Sequence, residues 1–282
     1  RELAHVLTKR AAVSWFDMSG GWFSEPEILA DIGRGQRIAN ESLAARRPFN
    51  PQIGVFVDPR SFYWMRPSMA NAALVLHQVV TMPQSGAPWD FCLLDDVADP
   101  RLPDYKLYVF LNAFYLEPAR REAIHARLKR NGATALFIYA PGYLGPDGES
   151  LDAIELLTGI KVAMDDREGR PQIVMEPADP LAHGLPQETP LGAQRLTVAP
   201  LFHADDPDAR VAGRLVDTGR PGLVVKRQDG WTSVYCSAMT LPQGLMRNLA
   251  RAAGVHVWLE TDDALYTDGQ YVGVHAATES TK

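Results

Sequence analysis

Apolar residues in this chain fall into short runs bounded by glycine and proline, and their spacing changes character more than once along its length. The first run, Ala11 to Met18, is mostly apolar and ends at Ser19-Gly20-Gly21, which predicts a buried strand. Ser24 then offers an N-cap and Pro26 a first-turn proline, while Ile28, Leu29, Ile32, Ile38 and Leu43 recur near helical spacing. A helix is predicted from Glu25 to Ala45. Arg46 to Pro51 holds two prolines and breaks the pattern, marking a domain boundary.

From Gln52 the chain alternates strand and helix. Strands are predicted at Ile53–Val57, Phe91–Leu94, Leu107–Leu111 and Ala133–Tyr139, with helices at Met69–Val80 and Pro118–Arg130 between them. The second helix has Pro118 in its first turn, Lys129 and Arg130 in its last, and Asn131-Gly132 as its stop. Near-continuous apolar strands joined by helices imply a parallel sheet covered on both faces. A short helix is expected at Ser150–Leu157. Beyond Ile160 the texture turns to short β-like runs, at Gln172–Met175, Arg195–Phe202, Ala209–Val216, Gly222–Lys226 and Thr232–Cys236. A helix at Pro242–Ala253 follows, and Asp268-Gly269 predicts a hairpin between Ala264–Tyr266 and Tyr271–Ala276. The predicted fold class is α/β, a flavodoxin-like parallel sheet with flanking helices plus a β-rich C-terminal part.

Charge and composition narrow the partners. The net charge of −6 comes from interspersed residues, so no basic stripe tracks a phosphate backbone, and nucleic acid is not expected as a partner. The longest apolar stretches, Leu107–Phe114 and Thr134–Ala140, fall far short of the roughly 20 residues that span a bilayer, so no membrane partner is expected. The start at Arg1-Glu2-Leu3 reads as a cut rather than a natural beginning. Cys92 and Cys236 each sit in an apolar strand-like run and read as unbridged core thiols, which leaves the compartment open.

A flavodoxin-like sheet can house an amidotransferase or a hydrolase, whose nucleophile stands on the sharp turn after a central strand. Here that turn follows Phe137-Ile138-Tyr139 and reads Ala140-Pro141-Gly142-Tyr143, without cysteine or serine. No histidine pair has the i,i+4 spacing of a helical metal site, and His203 beside Asp205-Asp206 reads as loop, as do Asp95-Asp96 and Asp165-Asp166. No metal, nucleotide or other cofactor is expected, and no catalytic residue is assigned. The unusual segment is Trp15-Phe16-Asp17-Met18-Ser19-Gly20-Gly21-Trp22-Phe23. Its aromatics and acid make Trp15, Asp17, Trp22 and Phe23 candidate sugar-binding residues, because ring faces stack on pyranoses and a carboxylate takes their hydroxyls. The plainer reading is that these rings plug the end of a sheet.

Three stretches carry a resemblance: Ser14 to Met18 with Gly20-Gly21-Trp22-Phe23, Tyr105 to Phe114, and Tyr139-Ala140-Pro141-Gly142. Together with Leu241-Pro242 and Arg247 to His256, they resemble the C-terminal portion of β-galactosidase-like glycoside hydrolases of family 42. The resemblance implies the last strand and helix of a TIM barrel at residues 1–47. It implies an amidotransferase-like trimerisation domain at residues 48–258 and the start of a small β domain at residues 259–282. The catalytic glutamates would lie on upstream strands, so neither Glu25 nor Glu27 takes that role. Carbohydrate would be met through the parent enzyme, and a homotrimer is expected, with Phe62-Tyr63-Trp64-Met65 as an interface or interdomain cluster. The rival reading is a non-enzymatic carbohydrate or small-molecule binding module with its cleft near Asp58, Asp95, Asn112 and Tyr143.

Overall fold

Five parallel strands form one side of a nine-stranded sheet, and four antiparallel strands extend it. The computed structural model describes residues 2–16, 25–45, 48–65 and 69–277. The chain divides into two units, residues 1–50 with 263–282, and residues 51–262.

The larger unit runs β1 (Ile53–Val57), α3 (residues 69–81, with a π-helical stretch at Ala72–Leu76), β2 (Trp89–Leu93), β3 (Leu107–Phe110), α4 (Pro118–Arg130), β4 (Thr134–Ile138) and α5 (Leu151–Thr158). Then follow β5 (Val162–Asp165), β6 (Gln172–Met175), β7 (Leu191–Gly192), β8 (Leu201–Ala204), β9 (Arg210–Leu215), β10 (Pro221–Gln228), β11 (Trp231–Cys236) and α6 (Gln243–Ala252). The sheet order is β2-β1-β3-β4-β11-β10-β9-β6-β7. The pairs from β2 across to β11 are parallel, and those from β11 to β7 are antiparallel. The late strands are therefore not a separate β part: β11 pairs with β4 in parallel, Val234 opposite Leu136, and carries the others with it. Strand β8 pairs instead with β5.

Side chains alternate between the two faces of a strand, and β1, β3 and β4 are buried on both. Ile53, Val55, Val109 and Leu136 pack on one face with Leu74 of α3 and Leu245 and Leu249 of α6. Phe56, Phe110 and Phe137 pack on the other with Ile124 and Leu128 of α4. The rings of Phe110 stack on Phe56 at 5.3 Å and on Phe137 at 5.0 Å. Gly54 is required beneath this layer, since a Cβ there would stand 2.4 Å from Tyr105.

Long polar side chains tie the helices to their loops. Arg127, buried on α4, donates to the carbonyls of Val97 at 3.2 Å and Leu102 at 2.7 Å, and to Asp104 at 3.1 Å. The amide of Gln78 on α3 pairs with both backbone groups of Leu241, accepting from its N–H at 2.6 Å and donating to its carbonyl at 3.1 Å.

In the smaller unit, α1 (Glu2–Thr8) and α2 (Pro26–Ala44) accompany the hairpin of β12 (Ala264–Thr267) and β13 (Val272–His275). His5 stacks on Tyr266 at 5.4 Å. The hairpin turn is fixed by Asp268, whose Oδ1 accepts from Gln270 N–H at 3.0 Å and Tyr271 N–H at 2.8 Å.

The structure corrects three expectations. Residues 11–16 are exposed and without regular secondary structure rather than a buried strand, because no strand among the described residues offers them a hydrogen-bonded partner; Asp17 and Met18 lie outside those residues. Glu25 holds the N-cap position of α2 without a side-chain cap bond, whereas Ser24 lies outside the described residues, as do Arg46, Arg47, Arg66 and Pro67. The run Arg195–Phe202 is strand only from Leu201; Val198 makes an isolated bridge to Gly169, and Pro200, which has no N–H to give a ladder, precedes the strand.

Candidate functional site

Of the candidate sugar-binding residues, the structure places Trp15, which is half exposed in the irregular segment 11–16. Asp17, Trp22 and Phe23 lie outside the described residues.

At the carboxyl end of β4 the chain turns sharply, and the residue that bears the unusual backbone is Tyr139, with φ of 66°. A bulky L-residue rarely enters this left-handed region, because its Cβ crowds the neighbouring carbonyl. Three hydrogen bonds hold Tyr139 there. Its N–H donates to Cys236 O at 2.8 Å, its carbonyl accepts from the Tyr235 hydroxyl at 2.7 Å, and its own hydroxyl donates to Pro200 O at 2.5 Å. The elbow position thus carries a phenol, one residue ahead of the expected Ala140-Pro141-Gly142. Burial pushes the Tyr139 phenol well above its usual range, so it stays protonated. Cys236, fully buried beside it at the end of β11, has its thiol pushed up to about 12 by the same cause, and is no nucleophile at neutral pH.

The acids at the strand ends are tied up in structure. Asp58, just after β1, and Asn112, just after β3, are both buried and face each other rather than a cleft. Asn112 Oδ1 accepts from Asp58 N–H at 2.8 Å and its Nδ2 donates to Asp58 O at 2.9 Å. The Asp58 carboxylate accepts from the Ser61 hydroxyl at 2.6 Å, and Arg60 and Arg120 approach it at 3.7 and 3.8 Å. Asp95 pairs with the same two arginines. This is a correction to the expected cleft: Asp58 and Asn112 serve the turn after β1, while Tyr143 lines a cavity at the ends of β3 and β4. His203 is buried in β8, its Nε2 3.0 Å from the Arg220 guanidinium, and burial, then Arg220, lowers its pKa. Asp206 accepts from Lys226 at 2.7 Å. Among the described residues no group of three or more His, Cys, Asp or Glu is placed to hold a metal ion.

The cavity lies at the carboxyl ends of β3 and β4 and measures about 630 Å³. It is lined by five aromatic residues, Trp64, Phe114, Tyr139, Tyr143 and Phe202, and by one acid, Glu149. Phe202 meets both Tyr139 and Tyr143 edge-on, each at 5.1 Å, and Phe114 meets Tyr139 at 5.9 Å, so these four rings form one connected wall. Trp64 stacks on Tyr115 at 5.4 Å with 5° between the planes, while the rest of the indole is exposed. The Tyr143 hydroxyl donates to Glu149 at 3.0 Å, and its pKa is pushed up to about 12 by burial and by that carboxylate. The sequence signalled Trp64 as part of an aromatic cluster and Tyr139 as the elbow. Phe202 and the Thr197–Pro200 loop carried no signal, because they reach the cavity from 61 residues beyond Tyr139.

No protein-family model matches this sequence, and no curated protein matches it. Solved structures do share its fold. The β-galactosidase from Rahnella sp. R3 superposes with a TM-score of 0.62 at 16% identity, covering 87% of this chain and 38% of that one. The β-galactosidase from Bacillus circulans sp. alkalophilus gives 0.62 at 15% identity over 83% of this chain and 37% of that one. Gan42B, a GH42 β-galactosidase from G. stearothermophilus, gives 0.60 at 10% identity over 90% and 39%. The chain therefore spans less than two fifths of the length of these three β-galactosidases.

Proposed function

We propose that this chain is the non-catalytic C-terminal portion of a glycoside hydrolase of the β-galactosidase type, its larger unit supporting subunit assembly. In this reading the segment bearing Trp15, Asp17, Trp22 and Phe23 contributes to the sugar pocket of the parent enzyme. The observation that carries the reading is the superposition, which takes in 83% to 90% of this chain but only 37% to 39% of three β-galactosidases. The strand order β2-β1-β3-β4-β11 supports a flavodoxin-like, amidotransferase-like core, for it is the order of doubly wound sheets of that type.

The chemistry agrees. Glycoside hydrolysis uses two carboxyls across the scissile bond, about 5–5.5 Å apart when configuration is retained. Asp58, Asp95 and Asp206 are instead engaged by arginine or lysine, and the elbow that would carry an acyl-transfer nucleophile carries Tyr139. Aryl glycosides of several sugars, offered to the 282-residue chain and to a polypeptide extended through the upstream reading frame, test the proposal. Turnover is expected only from the extended form, and light scattering should report a trimer. Hydrolysis by the 282-residue chain overturns the non-catalytic assignment, and an inert extended form overturns the parent activity. A second reading, a binding module without catalysis, is favoured by one observation, the aromatic cavity beside Tyr139.

A further inference from the structure

Among the described residues, the lining of the cavity beside Tyr139 has five aromatic side chains and a single carboxylate, and no lysine, arginine or histidine. Aromatic faces carry negative potential, and a cation over them is attracted without any hydrogen bond being required. The hydroxyls nearby are already committed. Tyr139 donates to Pro200 O, Tyr143 to Glu149, and Thr197 to Glu168. A neutral polyol would find few free partners here, whereas an ammonium group needs only ring faces and a counter-charge. Trp64 offers an indole with one face on Tyr115 and the remainder open to solvent.

One further feature points the same way: the Glu149 carboxylate stands 3.0 Å from the Tyr143 hydroxyl, so the counter-charge is fixed directly against the ring wall.

We propose that this cavity is a binding site for an organic cation: an alkylammonium head held against the Trp64–Tyr143–Phe202 rings with Glu149 as its counter-charge. The volume, within the range of small-molecule pockets, leaves room for a body attached to that head. The site depends on the geometry of the larger unit alone and stands whether or not the parent is a glycosidase.

The 282-residue chain is titrated with tetramethylammonium, choline, the neutral choline isostere 3,3-dimethylbutan-1-ol and methyl β-galactoside, followed by calorimetry and tryptophan fluorescence. The two cations are expected to bind at least tenfold more tightly than the neutral isostere. Trp64→Ala and Glu149→Gln, both at exposed positions, should each weaken choline about tenfold while leaving the melting curve unchanged. Equal binding of choline and its isostere overturns the proposal in favour of a merely apolar pocket. Binding of the galactoside without choline, no binding of either cation at millimolar concentration, or unchanged choline binding by both variants also overturns it.

Discussion

Replacing Asn112 by alanine removes the amide that serves both backbone groups of Asp58, and the loss can be worked from the bonds themselves. Asn112 is fully buried and Asp58 is 1% exposed, so water does not replace what is lost. The Asp58 carbonyl keeps a second partner, the Ser61 N–H at 3.2 Å, whereas its N–H has only the Asn112 oxygen. One lost hydrogen bond costs about 1 kcal/mol, and one orphaned buried donor costs about 1–3 kcal/mol. The sum is about 3 kcal/mol, or a melting shift of about 6–12 °C for a domain of this size.

Asn112→Asp separates geometry from donor capacity, because the carboxylate still accepts from Asp58 N–H but cannot donate to its carbonyl. A buried carboxylate has its folded pKa raised by desolvation. Below about pH 4 the acid is protonated in both states and no ionisation penalty applies. As the pH rises through the unfolded value, the unfolded chain ionises while the folded one resists, so the variant loses stability until the folded pKa is passed. Denaturant unfolding followed at the buried Trp89 and Trp231 should therefore show the Asp variant near wild type at pH 4 and well below it at pH 7. An Asn112→Ala variant within about 0.5 kcal/mol of wild type would refute the reasoning, since that is the ordinary range of a neutral surface change.

Gly54→Ala forces a methyl to within 2.4 Å of the Tyr105 ring, and overpacking of this kind should cost about 1–3 kcal/mol in the same unfolding assay. Neither cysteine is in a disulfide and both are buried, so a thiol reagent should count two per chain after denaturation without reductant. In the native protein at pH 8 Cys236, its thiol held near 12, should label slowly enough to follow by mass spectrometry for hours.

Local signals carried much of the parallel half of the sheet. Ile53–Val57 reads as a strand because five apolar residues stand between turn formers, and it is buried at every position. Pro118–Arg130 reads as a helix because its first-turn proline, basic last turn and Asn-Gly stop agree, and the structure has it at those bounds. The partners of a strand are not local. Ala11 to Met18 has the apolar texture of a core strand, yet residues 11–16 are exposed coil, since texture says nothing about whether a neighbouring strand is at hand. Val162–Asp165 carries no strand signal of its own, because its strand character depends on β8, about forty residues on, lying alongside it. The candidate site divides in the same way: the elbow is legible, but the left-handed residue is Tyr139, and the facing Phe202 comes from the distant strand β8.

The position of β11 determines when this unit can be completed. Residues 231–236 sit in the middle of the sheet, with the parallel strands on one side and the antiparallel strands on the other. During synthesis the first four strands leave the ribosome with the open edge of β4 unpaired, and that edge, apolar and flat, invites pairing with other chains until β11 arrives. Such long-range closure raises contact order and slows folding. A ribosome stalled before residue 231, or a protease cut just ahead of it, would thus leave two sticky half-sheets rather than a smaller stable domain.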